Sequence, residues 1–402
     1  MLVLKLIQRR FLEDFTGCLV LDDAKSGQVS PETLVFHFGG HIYRGFKCVA
    51  NITLFSHGLS PLAFDLKGFL TQDASEHKYL YTTSRSMEIL PTLDTLCAAE
   101  KASKGGAMRV FLAGGTGFVG GHVRQALLER GHSIRLLVHR KGASEKLAGI
   151  EEIEGDATLP ESFTDAVKGC DATINLIGII REFPGRGITF QRLHVEATRN
   201  IIAAAKNNGV TRHLQMSALG TRANSEARYF KSKFEAEEAV RASGLDYTIF
   251  RPSIIFGPKD DFINQLAGLL RMLPAMPVIG DGEYQLQPIS ADDVARCFAE
   301  ALEKPEAIGE TFELCGPDRL SYNELLDTIA RVMGKGRVLK IKNPLPLMRL
   351  VVPLFESFPF FPVTSDQITM LVQGSICDGG WRRTFTFQPT RLEPGIRSYL
   401  KP

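Results

Sequence analysis

From Met108 onward the chain alternates between short apolar runs and segments whose apolar residues recur every three to four positions. Arg109–Ala113 predicts a short buried strand. Phe118–Arg130 places Val119, Val123, Ala126 and Leu127 on one helical face, and Gly131 follows as the residue that closes the helix. Ser133–Val138 predicts a second strand. Pro160 stands where a first helical residue is favoured, and Gly169 where that helix would stop. Asp171–Ile180 predicts a buried strand, Val195–Asn208 a helix, Arg212–Met216 a strand, Arg228–Ser243 a helix ended by Gly244, and Tyr247–Arg251 a further strand. Such alternation predicts βαβ units, hence an α/β fold with a doubly wound parallel sheet. Beyond Pro252 the pattern loosens into helices, loops and isolated strands such as Thr311–Leu314.

Residues 1–107 show no sustained period of either kind. At 402 residues the length alone suggests two or three domains. The periodicity instead predicts one α/β domain over 108–402, with its core at about 108–250 and a smaller C-terminal substrate lobe mainly over 251–402. The first strand begins immediately at Met108, and Lys104-Gly105-Gly106 can be encoded by a purine-rich run resembling a ribosome-binding site. The expectation is therefore that residues 1–107 are an unassigned extension from a mis-called start. A small N-terminal domain without a recognised signature is the alternative.

Composition narrows the function classes. Apolar residues at 44% and charged residues at 23% exclude a mainly disordered chain. With 47 basic and 45 acidic residues, nothing points to a chain built chiefly to bind nucleic acid. Seven cysteines without a CxxC pair form no disulfide framework and predict a reducing, cytoplasmic setting. Cys170 and Cys315 flank predicted strands and read as buried small hydrophobes. Met1–Ile7 is apolar but stops at Gln8-Arg9-Arg10, too short for a signal or spanning segment. Pro344–Val363 is also apolar, yet five prolines forbid a continuous spanning helix. Its aromatic residues Phe355, Phe358, Phe360 and Phe361 read as core, and leave a peripheral contact with a membrane's inner face or a quinone as the alternative. His37, His41, Cys48 and His57 match no common ligand spacing, so no metal is expected.

The chemistry starts at Gly114-Gly115-Thr116-Gly117-Phe118-Val119-Gly120, between the first strand and first helix. Gly114 permits a tight turn, Gly117 lets a pyrophosphate approach the backbone, and Gly120 lets the helix pack closely. Free N–H groups at the helix N-terminus then face phosphates. With a strand before it and a helix after it, the spacing predicts a dinucleotide-binding turn of a Rossmann fold, a plain glycine turn being the alternative. After the second strand come His139-Arg140-Lys141 rather than the acidic residue that suits NAD(H), so NADP(H) is expected over NAD(H), with Arg140 at the 2′-phosphate. Tyr229 and Lys233 are one helical turn apart, and an ammonium beside a phenol lowers its pKa and can hold ribose hydroxyls. Ser217 lies at the C-terminal end of the preceding predicted strand, the edge where such sheets bind ligands.

The turn, Ser217 and Tyr229-x-x-x-Lys233 resemble the short-chain dehydrogenase/reductase superfamily. Arg251-Pro252-Ser253-Ile254-Ile255-Phe256-Gly257-Pro258 and Ile289-Ser290-Ala291-Asp292-Asp293-Val294-Ala295 resemble its extended and atypical branches. Ser217-Ala218-Leu219-Gly220, Gly257-Pro258-x-Asp260-x-Phe262 and Thr364-x-Asp366-Gln367-Ile368 are similar to the branch containing the nucleotide-binding accessory subunit of respiratory complex I and its bacterial relatives. The resemblance covers Met108 to the C-terminus. It implies Tyr229 as acid/base, Lys233 as ribose partner and Ser217 as the group polarising a carbonyl or hydroxyl. It further implies Asp156 at the adenine edge, Leu176, Ile177 and Gly178 beside the nicotinamide ribose, and Pro252 and Ile255 near the carboxamide. His194 stands where many catalytic members carry an Asn of the proton relay. A short gap before Tyr229, without a Ser/Thr-rich segment, counts against a sugar-nucleotide epimerase or dehydratase. Arg251 suits a substrate phosphate or a structural ion pair. Two readings remain: an NAD(P)-dependent oxidoreductase of an unknown small, apolar substrate, or a non-catalytic, nucleotide-holding structural or assembly protein with a protein partner.

Overall fold

A computed structural model describes residues 106–142, 147–356 and 363–400, together with the backbone of six short strands within the first hundred residues. The chain divides into two compact units, Met1–Gly106 and Ala107–Pro402. In the first, Leu34–Phe38 pairs with His41–Gly45, Asn51–Leu54 with Leu62–Asp65, and Leu70–Asp73 with Lys78–Tyr81, each antiparallel. Strands this short carry too few residues for their alternation to register as a period. The side chains of His37, His41, Cys48 and His57 lie outside the described residues.

The second unit is built on seven strands: β1 (Arg109–Ala113), β2 (Ser133–Val138), β3 (Ile150–Glu154), β4 (Ala172–Asn175), β5 (Arg212–Met216), β6 (Asp246–Pro252) and β7 (Thr311–Leu314). Every pairing is parallel, in the order β7-β6-β5-β4-β1-β2-β3. This is a doubly wound Rossmann sheet whose strand order reverses between β1 and β4. Buried on both faces, β1 runs Val110, Phe111, Leu112 and Ala113 through the core, and β4 is buried throughout. Each fully buried Leu or Phe contributes about 1.5–3 kcal/mol.

The flanking helices are α1 (Phe118–Glu129), α2 (Ala197–Asn207) and α3 (Arg228–Arg241). The segment opened by Pro160 folds as two 3-10 turns, Pro160–Ser162 and Thr164–Val167, rather than one α-helix. A π-helical stretch, Gln191–Glu196, leads into α2. Past β6, helices α4 (Asp261–Met272), α6 (Tyr322–Val332) and α9 (Leu392–Arg397) close a separate apolar core around Phe256, Ile263, Leu325, Ile329 and Ile396. The chain also crosses back: α5 (Ala291–Ala301) joins the main core with α1, and β7, an isolated strand in the sequence pattern, completes the sheet with Ile249 opposite Thr311. Helices α7 (Leu345–Phe355) and α8 (Ser365–Val372) lie between.

Cys315 departs from expectation. It is buried at the end of β7 but disulfide-bonded to Cys377, 62 residues away, a pairing that no local spacing signals. Cys170 is a buried free thiol. Among the described residues, no helix is long and apolar enough to cross a membrane.

Candidate active site

All seven strands are parallel, so the loops after β1, β2, β3, β4, β5 and β6 gather at one sheet edge. Every residue singled out from the sequence for catalysis or cofactor binding ends or follows one of those strands or lies on α1 or α3.

Gly114 has φ +78°, in the left-handed region, and a Cβ there would sit 2.8 Å from the backbone of Leu176 and Ile177. At Gly120 a Cβ would lie 2.4 Å from the Gly114 carbonyl oxygen. Gly120 thus packs against the turn itself, not merely the strand. Gly117 is different. It is exposed, and a Cβ would meet only the Gly114 carbonyl oxygen at 3.4 Å. Helix α1 begins on Gly117 without a side-chain cap, leaving its first N–H groups directed past Thr116. This is a cradle open to one anionic group, and it fits a pyrophosphate. Phe118 reaches across the site, within 3.3 Å of where a Gly257 Cβ would be.

His139, Arg140 and Lys141 are exposed directly after β2. Asp156 sits just beyond β3. Its Oδ1 accepts from the Thr158 N–H and hydroxyl, both at 2.8 Å. Burial would raise its pKa, but these bonds and the His139 charge hold the carboxyl below the usual range. The loop after β4 is set by Asn175, whose Oδ1 accepts from the Ile177 N–H at 3.0 Å and whose Nδ2 donates to Thr198 and Gln215. Pro252 ends β6, and Ile255 pairs with Ile289 just beyond it.

Lys233 and Tyr229 share one face of α3 and both are buried. The Lys233 Nζ donates to the Ile177 carbonyl at 3.2 Å and the Met216 carbonyl at 3.3 Å, and would stand 3.0 Å from a Gly178 Cβ. Structure therefore brings Gly114, Leu176, Ile177, Gly178 and Lys233 into direct contact. Burial lowers the Lys233 pKa to about 8, opposed by the Glu237 charge. It pushes Tyr229 up to about 12. That runs opposite to the expectation of an acidified phenol, and burial is the cause. The Tyr229 ring lies edge-on to Phe190, His194 and Phe230 at 5.4–5.8 Å between centroids.

Ser217 lies directly after β5. Its hydroxyl is buried, 3.3 Å from the Thr221 hydroxyl, and with Arg251 it helps hold the Glu237 carboxyl below its usual pKa against burial. Glu237 in turn holds Arg251 in a two-point ion pair at 2.6 and 2.8 Å, which makes Arg251 structural. Sequence reasoning passed over Glu237. The signal was its place one turn beyond Lys233 on the same helical face.

His194 is a second structural answer. Its Nε2 accepts from the Ile179 N–H at 3.1 Å, and its Nδ1 is 2.8 Å from the Ser232 hydroxyl, which donates to the Tyr229 carbonyl. That arrangement puts the proton on Nδ1. Burial first, then the Lys233 charge, lowers its pKa to about 2, so the ring is neutral. It fixes the loop after β4 and the Tyr229 turn. Buried His213 is similarly lowered to about 4. Both groups stay unprotonated in the fold while the unfolded chain takes up protons below pH about 6.5. Their contribution to stability is complete above that value and is lost as the pH falls toward the folded pKa values. Together they remove about 3–4 kcal/mol between pH 7 and about pH 5. Urea unfolding at both pH values checks this, and an unmoved midpoint contradicts it.

The C-terminal segment supplies residues that no spacing revealed. Asp366 accepts from the Arg228 N–H at 2.9 Å, and Met370 packs against Phe190, Ala227, Tyr229 and Phe230. Asp260 of the Gly257-Pro258 motif caps α4 through the Ile263 N–H and accepts from the Tyr399 hydroxyl. Beside it opens a cleft of about 470 Å³ lined by Ile180, Arg181, Asp260, Asp261, Asn264 and Gln367, two residues past Gly178.

A family model described as NAD(P)H-binding matches residues 114–305. The chain is 31% identical over 263 residues to the mitochondrial NADH dehydrogenase [ubiquinone] 1 alpha subcomplex subunit 9 of Mus musculus, covering 63% of this chain and 68% of that one. It is 29% identical to a ceramide reductase of Caulobacter vibrioides, covering 58% and 74%. A crystal structure of UDP-glucose 4-epimerase from Thermotoga maritima superposes with TM-score 0.57 at 19% identity, over 72% of this chain and 96% of that one, and shares the fold. With the glycine cradle, the Tyr229–Lys233 face and the strand order already in hand, these matches agree on one assignment: the chain belongs to the short-chain dehydrogenase/reductase superfamily, in the atypical branch that includes the complex I alpha-subcomplex subunit 9 proteins.

Proposed function

We propose that the protein is an NADP(H)-dependent reductase of a carbonyl on a small, apolar substrate. The observation that carries this reading is the buried Tyr229–Lys233 face, with Lys233 bonded to the Ile177 carbonyl at the C-terminal edge of the sheet. When bound, the nicotinamide nucleotide supplies the hydride. Gly114, Thr116, Gly117, Phe118, Val119 and Gly120 would hold its pyrophosphate, Asp156 its adenine side, and Leu176, Ile177, Gly178, Lys233, Pro252 and Ile255 its nicotinamide half. Tyr229, protonated through the neutral range, donates its phenolic proton to the oxygen of the carbonyl as that oxygen gains charge. Lys233 stays cationic near pH 7, one turn along the same helical face. The apolar walls of Phe190, Phe230 and Met370 exclude water and favour an apolar substrate, in keeping with the name of the Caulobacter relative.

Exposed Arg140 would pair with a 2′-phosphate. Arg140→Glu is expected to weaken NADPH binding about tenfold or more while leaving NADH within threefold. Parallel titrations check this, and an unchanged ratio removes the preference. One observation favours the other reading. Ser217 is committed to Glu237 and Thr221, and the mouse relative's name is that of a subunit. In that case the nucleotide stabilises the native state by mass action and a protein partner takes the place of a substrate. Copurified nucleotide that no carbonyl consumes would identify it.

A further inference from the structure

Helix α7 is apolar on both sides. Its inward stripe is Leu345, Met348 and Val352, with Val352 fully buried. Its outward stripe is Leu347, Leu350 and Leu354, again at helical spacing, and these are 52%, 70% and 68% exposed. A helix on a water-facing surface carries polar residues there. Just before it, Leu339 and Ile341 on the extended segment leading into α7 are exposed as well. Along the chain here the charges have one sign. Residues 331–355 hold six cations, Arg331, Lys335, Arg337, Lys340, Lys342 and Arg349, and no acidic residue. Arg331 pairs with Glu393 and Lys340 with Asp327. Arg337, Lys342 and Arg349 make no ion pair among the described residues and are exposed.

We propose that α7 and the strand before it form a docking surface for an anionic lipid bilayer. The leucine stripe enters the boundary between headgroups and acyl chains, and Arg337, Lys342 and Arg349 meet anionic headgroups. A protein groove would satisfy the leucines equally, but the unpaired single-sign cations beside them select a surface of dense negative charge. The far end of the helix is tied to the cleft beside Asp260: Arg181, which lines that cleft, donates to the Glu356 carbonyl at 2.7 Å. Docking therefore brings the mouth of that cleft to the lipid, so that an apolar substrate enters from the bilayer. This consequence rests on the reductase reading; the docking does not.

The test is cosedimentation of the full chain with phosphatidylcholine vesicles with and without phosphatidylglycerol, at an ionic strength of about 0.1 M. Binding is expected only with the anionic lipid, and it should weaken as salt is added. Leu350→Glu with Leu354→Glu should weaken it at least about tenfold, with NADPH titration confirming the fold. Lys342→Glu with Arg349→Glu, at exposed polar positions, should also cost at least about tenfold. No binding to either vesicle overturns the proposal. So does binding that all variants retain, or a leucine-dependent dimer that ignores lipid.

Discussion

Gly120→Val is expected to remove nicotinamide nucleotide binding, raising the dissociation constant at least 100-fold, about 3 kcal/mol. A Cβ at this position falls 2.4 Å from the Gly114 carbonyl oxygen and 2.5 Å from the Gly115 backbone. These are main-chain atoms that cannot rotate aside. On its other flank the turn is pressed by Leu176 and Ile177, so it can relieve the clash only by distorting the cradle itself. Overpacking adds about 1–3 kcal/mol of lost stability, which circular dichroism would register separately. Gly121→Ala is the control, because a Cβ there meets nothing nearer than an Arg124 nitrogen at 3.9 Å. Titration with NADPH measures both. Binding by Gly120→Val within threefold of the wild type contradicts the cradle.

The second large effect falls on turnover. Tyr229→Phe should cut the rate about 10²–10⁴-fold while leaving nucleotide affinity within a few-fold. The ring contacts with Phe190, His194 and Phe230 are made by carbon edges and faces and survive the change. Only the transferable proton is lost. Lys233→Met differs, because Nζ bonds the Ile177 and Met216 carbonyls and would hold ribose, so affinity and rate should fall together. Steady-state kinetics on a reducible long-chain ketone separates the two patterns. Turnover by Tyr229→Phe at the wild-type rate removes the phenol from the chemistry.

Much of this was legible in the residues because it is local. β1 and β2 match their apolar runs to the residue, and the need for glycine at Gly120 comes from the backbone of Gly114 and Gly115, a few positions away. Helix α3 shows its Tyr229–Lys233 face through simple spacing. What escaped depends on distant partners. The Cys315–Cys377 bond, the Asp366 cap on Arg228 and the Met370 contact join segments far apart in sequence. The surroundings of Ser217 escaped for a similar reason. Its place after β5 is set by the strand, but its hydroxyl sits 3.3 Å from the Thr221 hydroxyl and close enough to Glu237, two helical turns beyond Tyr229, to help lower that carboxyl's pKa. The raised Tyr229 pKa likewise follows from burial, which a spacing does not report.

Protein loaded with NADPH and mixed with a panel of long-chain ketones, followed by the absorbance of the reduced nicotinamide in a single turnover, tests the central claim most directly. The account predicts decay with at least one ketone in the wild type and persistence in Tyr229→Phe. Absorbance that persists in both proteins across the whole panel, with the nucleotide still bound, would contradict it and leave the nucleotide a structural role.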